Sequence, residues 1–397
     1  MNTKIWHNKK IQNLILSLGM AFAFFTIMTP IYISRSTVYG EYDVYIRMAV
    51  VFSLYFIYAK EWFKEKNIDV FLIIFHIYAA ISFFVTLQAK ADIVSALWSR
   101  WIVDGAFLIL FALCLKRNAK LFLMSVYTIL FLLIIWDAKT TLVPKALWGD
   151  EFSNLLFGNY NSKAAFYFPA LLFGYVACIL NKENRLLKIS YIFLQILIIS
   201  VLAYVKSITS FTIFILSIIY CDFLNKKYFY KIFNIYTCLL ANIVFFLSAV
   251  LCSYGREFSA FVVKFLGKTS SFNTRAQIWD ATKLAISKRP FCGYGIYSPD
   301  ERKNLIEGCS FIHAHNMYLN TVFETGLIGF LCLVAMAVLA VRRIMINVKN
   351  VEIKNAVLIL FGLYLFACQF EVYSELTLLS FLAFMYYFRD SEELYQC

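Results

Sequence analysis

Long apolar runs are the feature that most constrains the fold of this chain. Twelve runs are long enough, or nearly so, to cross a lipid bilayer, which takes about 17–25 residues. The chain is 61% hydrophobic and only 15% charged, whereas a soluble domain usually carries about 25% charge. We therefore expect an all-α, polytopic membrane protein with about 12 transmembrane helices. The runs cover residues 11–33, 44–59, 68–88, 97–115, 119–136, 164–180, 187–205, 207–223, 232–253, 318–341, 355–370 and 374–388.

Basic residues alternate between the two sides of these predicted spans. With the amino terminus in the cytoplasm, every cytoplasmic connection holds a basic cluster, such as Lys116, Arg117 and Lys120. Cytoplasmic loops are enriched in lysine and arginine, so the alternation predicts that both termini lie inside. The formal net charge of +13 is dispersed over short loops, and we therefore expect no nucleic-acid partner. None of the ten cysteines forms a CxxC pair, so a zinc or dithiol site is not expected. No metal site and no cofactor are predicted.

One connection, between the ninth and tenth spans, is far longer than the others. The predicted organisation is residues 1–253 for nine spans, 254–316 for a long extracytoplasmic loop with catalytic motifs, and 317–397 for three more spans and a short cytoplasmic tail. Within the loop, residues 255–268 are expected to form an amphipathic helix at the membrane surface. Residues 275–288 are expected to form a second helix, which Pro290 ends.

The same loop is basic and contains two cysteines. Its positive residues, Arg289 among them, suit an anionic lipid-linked partner such as a diphosphate. A solvated loop of mixed charge is the alternative interpretation. A disulfide between Cys292 and Cys309 is a hypothesis, and two free cysteines are its alternative.

Polar side chains meet the start of an apolar helix at residues 313–329. If the segment is helical from its beginning, one stripe carries His315, Leu319, Val322, Gly326 and Gly329. The histidine would then face a groove at the membrane edge, and the glycines would let a neighbouring helix approach closely. The alternative is a plain helix start, capped by Asn316 and preceded by a solvated histidine.

Three motifs follow one another between residues 273 and 329. They are Arg275-Ala-Gln-Ile-Trp279, then Pro290 with Gly293-Tyr-Gly295, and then His315-Asn316 with Gly326-x-x-Gly329. Together with the multi-span frame, they resemble the O-antigen ligase and polymerase family of bacterial envelope glycosyltransferases. The resemblance implies a metal-independent, inverting transferase of the GT-C type. Such an enzyme acts on undecaprenyl-diphosphate-linked glycans outside the inner membrane.

The resemblance also implies roles for single residues. His315 matches the essential histidine of the family, a base or acceptor-orienting group, and Arg275 matches the arginine that binds the donor diphosphate. Lys206 is nearest to a further basic position where many members have arginine, and a lysine lacks the bidentate fork. A guanidinium can neutralise a leaving diphosphate. A histidine, with an ordinary pKa of about 6.5, can take a proton from a sugar hydroxyl.

Further side chains near these motifs are candidates for substrate binding. Asn316 is one of them, beside the histidine. Trp279 and Tyr318 could stack on sugar rings, although anchoring at the membrane interface is the commoner role of such aromatics. Glu324 could bind sugar or orient a base, with a plain interfacial carboxylate as the alternative. His313 is predicted to point to another side of the helix.

The expected function is that of a polymerase joining lipid-linked repeat units into capsule, exopolysaccharide or O-antigen chains. The implied partners are an undecaprenyl-diphosphate-linked oligosaccharide, a glycan or lipid A core acceptor, membrane lipids and a chain-length regulator. The motifs do not separate this polymerase from an O-antigen ligase that uses lipid A core. An alternative of another class is a transporter or flippase of lipid-linked sugars. The expected location is the bacterial inner membrane, with the active site on the extracytoplasmic side.

Overall fold

The computed structural model describes residues 9–34, 37–143, 156–158, 161–225, 229–252, 271–305 and 313–390. Within these ranges the chain is helical and contains no strand. The helices are α1 (Lys9–Ile27), α2 (Ile31–Ser34), α3 (Thr37–Glu65), α4 (Val70–Ala89), α5 (Asp104–Leu142), α6 (Ala164–Leu180), α7 (Arg185–Tyr204), α8 (Ile208–Ile219), α9 (Ile235–Phe245), α10 (Ser271–Lys288), α11 (Pro299–Leu305), α12 (Met317–Asn347), α13 (Val351–Ala367) and α14 (Glu375–Tyr387).

Short helices of other types extend some of these elements. A π-helix, Ser95–Val103, runs directly into α5. Two more, Tyr220–Leu224 and Phe246–Leu251, continue α8 and α9, and a 3₁₀ turn spans Phe229–Lys231. π-Helical turns are rare and frequently accompany functional sites.

Every predicted span overlaps a helix. The spans at 97–115 and 119–136 form one helical stretch that breaks at Asn118, whose φ is −157°. Among the described residues, five stretches can cross a membrane by length and composition, and the other apolar helices found there are shorter. The five are Gly40–Glu65, Val70–Ala89, Ser95–Leu142, Arg185–Tyr204 and Met317–Asn347. The protein is therefore an all-α, multi-pass membrane protein, as predicted.

Helix α5 forms the centre of the bundle. Its first three turns, from Asp104 to Leu115, are buried at every position, and it packs against α1, α6 and α14. Helix α12 packs against α4, α14 and the loop helix α10. The residues that precede and begin α12 are thus held between the membrane helices and the long loop.

Helix α12 is interrupted at Gly326, whose φ is +67° and whose ψ is −176°. The bend after α10 fits into this interruption: the Leu327 N–H donates to the Pro290 carbonyl at 2.8 Å. A Cβ atom on Gly326 would lie 2.0 Å from the carbonyl oxygen of Phe291, so only glycine fits. The close approach expected at Gly326 is therefore made by the bend and not by a neighbouring helix.

The Gly-Tyr-Gly motif completes this junction. Gly293 and Gly295 have φ values of +71° and +88°. The Tyr294 N–H donates to the Phe323 carbonyl at 2.8 Å, and the Gly295 N–H donates to the Glu324 carbonyl at 2.8 Å. The carbonyls that the broken helix leaves without a helical partner are satisfied in this way.

Some predictions concern residues outside the described ranges. The amphipathic helix at 255–268 lies there, and so does Cys309, so this helix and the Cys292–Cys309 disulfide stay predictions. The second loop helix is α10, which ends before Pro290 as predicted. The domain limits at 253 and 316 stay predictions.

Candidate functional site

A buried carboxylate, Glu371, occupies the centre of the candidate site. It lies in the non-helical connection between α13 and α14. The Nδ1 atom of His315 lies 3.2 Å from Glu371 Oε1, and an Nη atom of Arg275 lies 3.5 Å from Glu371 Oε2. Asn161, before α6, donates its side-chain N–H to Glu371 Oε2 at 2.7 Å. Three distant segments of the chain thus converge on one carboxylate.

The two predicted catalytic residues, His315 and Arg275, are therefore brought together. Their side chains are 26% and 19% exposed, whereas that of Glu371 is 8% exposed. A ligand can reach the imidazole and the guanidinium from outside, while the carboxylate lies behind them. This geometry allows Glu371 to hold in place two side chains that are open to a ligand.

His315 lies before α12 and not within it. Its φ is +47°, in the left-handed region, which costs about 1–3 kcal/mol for a residue other than glycine. Its N–H donates to His313 Nδ1 at 3.3 Å, and the Met317 N–H donates to the Cys368 carbonyl at 2.8 Å. The predicted stripe from His315 to Leu319 is wrong, because the helix begins only at Met317. Strained residues of this kind cluster at active sites.

His313 faces the same carboxylate as His315. Its Nε2 lies 3.7 Å from Glu371 Oε1, and the two imidazole rings are 4.2 Å apart. The prediction that His313 points elsewhere assumed a helix and is wrong. Burial, reinforced by the charge of His315, lowers the pKa of His313 to about 4, so His313 is neutral at pH 7. We call His313, His315, Arg275 and Glu371 the reactive cluster.

Glu371 is ionised at neutral pH. Burial alone would raise the pKa of its carboxyl group. The hydrogen bond with His315 and the positive charges of His315 and Arg275 outweigh burial and hold this pKa below its usual range. A carboxylate beside one imidazole nitrogen fixes the orientation of the ring and stabilises its protonated form. Glu371 can therefore support His315 as a base.

Asn316 is buried and serves the backbone. Its side-chain oxygen accepts from the Leu319 N–H at 3.0 Å, which caps α12, and its Nδ2 donates to the Gln369 carbonyl at 3.1 Å. The capping interpretation is thus confirmed. The expectation that Asn316 binds substrate is corrected, because both ends of its amide are occupied within the protein.

Two aromatic residues proposed to stack on sugar rings pack inside the protein. Trp279 is 1% exposed and packs in a cluster with Val250, Leu319 and Phe370. The Tyr318 hydroxyl donates to a carbonyl of α13 at 2.7 Å, and its ring packs edge-to-face against Phe246 of α9. The stacking role of Trp279 is corrected to a role in packing, because its ring is enclosed by protein. Tyr318 is half-buried, and its stacking role stays a prediction.

Glu324 joins two arginines inside the bundle. Its Oε2 accepts from Arg100 at 2.9 Å, and its Oε1 accepts from Arg302 at 2.8 Å and from Asn320 at 2.8 Å. Arg302 also donates to Asn320 at 2.6 Å, and Arg100 lies 2.8 Å from Glu375. We call these five residues the buried ion network. The expected contact of Glu324 with sugar is corrected, because its carboxylate is already surrounded by these partners.

Two predicted basic residues lie at the surface. Arg289 is exposed and its guanidinium lies 5.1 Å from the centre of the Tyr294 ring. Lys206 is exposed in the turn between α7 and α8 and has a φ of +54°. The binding roles of both residues stay predictions.

Sequence reasoning missed Glu371, Arg100 and Arg302. A signal for the first was present: Glu371 stands in the short connection between the last two apolar runs, and Glu375 stands at the start of the last run. Arg100 likewise stands inside an apolar run. Ionisable residues at such places in membrane proteins usually have a function or a specific partner. Arg302 had no such signal, because it is one of several charged residues in a polar loop.

Three groups of the reactive cluster could in principle hold a metal ion. His313, His315 and Glu371 offer ligand atoms within 4.8 Å of one another, and these residue types suit zinc. The positive guanidinium of Arg275, 3.5 Å from the same carboxylate, disfavours a cation there. The arrangement therefore fits an anionic ligand better than a metal ion.

A comparison with known protein families identifies a match that covers part of the chain. Residues 153–334 match a family model described as O-antigen ligase. The matched range contains Arg275, His315 and Glu324 and ends before Glu371. No curated protein matches the chain at a significant level.

Proposed function

We propose that this chain, which over residues 153–334 belongs to the O-antigen ligase family, is a membrane polymerase of lipid-linked glycans. The family supports glycan transfer of the O-antigen ligase and polymerase type in general. The observation that carries the finer proposal is the meeting of His315 and Arg275 on Glu371. A general base and a fixed positive charge are the two groups that transfer from a lipid diphosphate requires.

In the proposed reaction, a hydroxyl of the acceptor sugar attacks the anomeric carbon of the donor glycan. The bond from this carbon to the oxygen of undecaprenyl diphosphate breaks as the new glycosidic bond forms, so the configuration inverts. His315 takes the hydroxyl proton on Nε2, because its Nδ1 faces Glu371. The lipid diphosphate leaves as an anion and keeps the bonding electrons.

Arg275 is proposed to bind that leaving diphosphate. A guanidinium has five N–H donors, so Arg275 can contact Glu371 and a diphosphate oxygen together. The exposed residues Lys206 and Arg289 are proposed to bind further diphosphate oxygens. The positive charge lowers the barrier by stabilising the leaving group in a site of low dielectric constant. The proposed reaction uses no metal ion and no cofactor.

The location follows from the predicted topology. With the amino terminus in the cytoplasm, the reactive cluster lies at the outer end of the bundle, in the bacterial inner membrane. Lipid-linked repeat units would reach it from the bilayer, and the glycan would extend outward. A chain-length regulator is a further proposed partner.

A ligase is the second candidate, favoured by the description of the matching family. It would use the same two groups, His315 and Arg275, with a sugar of lipid A core as acceptor. The reactive cluster does not depend on which acceptor supplies the hydroxyl. The third interpretation, a transporter of lipid-linked sugars, gives the strained His315 and its partner Glu371 no chemical task.

One experiment separates these functions. The purified protein in lipid nanodiscs is supplied with lipid-linked repeat unit, with and without lipid A core, and the products are resolved by gel electrophoresis. We expect a ladder of glycan lengths without core, and no ladder with His315→Ala. Transfer only to core would establish the ligase instead. The absence of any transfer by wild-type protein would overturn both.

A further inference from the structure

A cavity lies beside the reactive cluster. Its volume is about 320 Å³. One wall is the π-helix Ser95–Val103 with the start of α5, and another is Ser374–Leu376 at the start of α14. Arg47 of α3 and Ile296 of the bend after α10 complete the lining. Only two residues separate Glu371 of the reactive cluster from Ser374 in the cavity wall.

The charged groups around this cavity are paired with one another. Arg100 lies 2.8 Å from Glu375, and Arg47 donates to Asp43 at 2.7 Å. Both arginines of the lining therefore already have a carboxylate partner, and Asp104 adds a further carboxyl group to the wall. A phosphate group needs positive charge that is not already neutralised. The lining therefore favours an uncharged ligand that can both donate and accept hydrogen bonds.

Several polar groups remain to meet such a ligand. The side chains of Ser99 and Ser374 line the cavity and are exposed. A volume of about 320 Å³ equals that of on the order of ten waters at ~30 Å³ each, which is the room that one or two sugar rings need. It also falls at the lower end of the range for small-molecule sites.

Polar contacts run from the cavity to the reactive cluster. Arg100 contacts Glu375 in the cavity wall and Glu324 in the bundle. Glu324 also contacts Arg302, and Arg302 donates to Asn320 Oδ1. The same Asn320 oxygen accepts from the N–H of Ala314 at 3.5 Å. Ala314 directly precedes His315. A sugar in the cavity would thus rest on the same framework that holds the base.

We propose that this cavity is a subsite for an uncharged sugar of the acceptor glycan. The bound sugar lies one or more residues away from the sugar whose hydroxyl reacts at His315, and it holds the acceptor in register. The inference rests on the proposed function for the identity of the glycan. It is otherwise carried by the paired charges, the serine hydroxyls and the contacts that lead to Ala314.

The test measures binding and not transfer. The probe is the lipid-free repeat-unit oligosaccharide from the polysaccharide of the source bacterium, titrated calorimetrically into the full chain in nanodiscs. The double variant Ser99→Leu, Ser374→Leu fills the cavity without removing any hydrogen bond described for these side chains. Ser53→Leu, an exposed serine on α3 outside the cavity, is the matched control. Ser374→Leu alone replaces the double variant if the latter does not fold.

We expect wild-type protein and Ser53→Leu to bind the probe equally, and the double variant to bind at least about tenfold more weakly, equivalent to ~1.4 kcal/mol. Inorganic diphosphate should not compete with the probe. Equal affinity in the double variant, displacement by diphosphate, or no binding to wild type would each overturn the subsite. The proposed function fails separately, if wild-type protein binds the probe but transfers no lipid-linked glycan.

Discussion

The reactive cluster and the buried ion network contain the same kinds of side chain but differ in how tightly they are closed. Contacts to Glu371 from His315, His313 and Arg275 are 3.2 to 3.7 Å long, and the three side chains are 19% to 28% exposed. Contacts of Glu324 with Arg100 and Arg302 are 2.8 to 2.9 Å long, and these side chains are 6% to 13% exposed. The first group can accept a further ligand, whereas the second is complete without one.

This difference distinguishes a group of side chains that can bind a ligand from one that stabilises the fold. Both groups lie at the same end of the bundle, and both contain a carboxylate between positive side chains. Proximity to the motifs does not distinguish them, because Glu324 lies inside the motif region and Glu371 lies outside it. Exposure and contact length distinguish them, and the following four predictions test whether that distinction also separates activity from stability.

The largest effect is expected from His315→Ala. Transfer should fall by about 10²- to 10⁴-fold, because the variant lacks the base. Its thermal unfolding should remain close to that of wild type, since the imidazole is partly exposed. Product formation is measured by gel electrophoresis of the glycan ladder, and unfolding by fluorescence in nanodiscs.

The matched control is His76→Asn, a change of a histidine that is not part of the reactive cluster, which keeps an acceptor for the indole N–H of Trp101. It should transfer glycan at the wild-type rate. Full activity of His315→Ala would show that His315 is not the base. The reactive cluster would then be a stabilising group, like the buried ion network.

The second prediction concerns Glu324→Ala. Removing this carboxylate leaves Arg100 and Arg302 buried without their shared partner, which should cost about 3–5 kcal/mol of unfolding free energy. Stability is measured by thermal denaturation, with activity normalised to folded protein. Glu183→Ala, at an exposed turn residue, should change stability by less than about 0.5 kcal/mol. A stable but inactive Glu324→Ala protein would place Glu324 in the site.

The third prediction concerns Glu371→Gln. A hydrogen bond to a charged group contributes about 1.5–3 kcal/mol, so kcat should fall roughly ten- to hundredfold. The KM for the lipid-linked donor should change little, because Glu371 positions the base and Arg275 binds the diphosphate. Steady-state kinetics measure both. An unchanged kcat with a raised KM would show that Glu371 helps to bind substrate and does not position His315.

The smallest effect is a change in the pH dependence of stability. The pKa of His313 is about 4 in the folded protein against an ordinary value of 6.5, so the unfolded chain binds more protons between these values. Stability should therefore fall as the pH drops from 6.5 to 4. The pKa of Glu371 is also lowered, and its contribution should be lost only below about 4.5.

His313→Asn tests this assignment, because asparagine does not titrate in the same range. When the pH is lowered from 6.5 to 4.5, the melting temperature of His313→Asn should fall by less than that of wild type. An equal fall in both proteins would show that the acid sensitivity comes from other groups. Melting curves at several pH values decide the question.

The sequence predicted the architecture well because apolar runs reflect a simple requirement. A backbone in lipid must satisfy its hydrogen bonds within the segment, so each run had to be helical. Even the division of Ser95–Leu142 into two spans at Asn118 was visible, since charged residues surround that position. His315 and Arg275 were found through their motifs, and the structure brings both to Glu371.

The remainder depended on tertiary contacts that no local pattern reveals. Glu371 meets His315 across 56 residues of sequence. The left-handed backbone of His315 is held by His313 and by the turn that contains Cys368, so a helical stripe was the natural but wrong expectation. Trp279 was ambiguous for another reason: an aromatic side chain suits a core, an interface and a sugar equally well.

The interruption of α12 at Gly326 limits how the protein can move during a catalytic cycle. The bend at 290–295 shares four backbone hydrogen bonds with this membrane helix, including those from Leu327 and Gly295. Lifting the bend would leave those groups bare near the lipid, at a cost of several kcal/mol each. We therefore expect this wall to stay shut while substrates come and go. In the proposed polymerase, the growing glycan would then have to leave past this fixed bend. Any opening needed for repeated addition would have to come from other walls of the site.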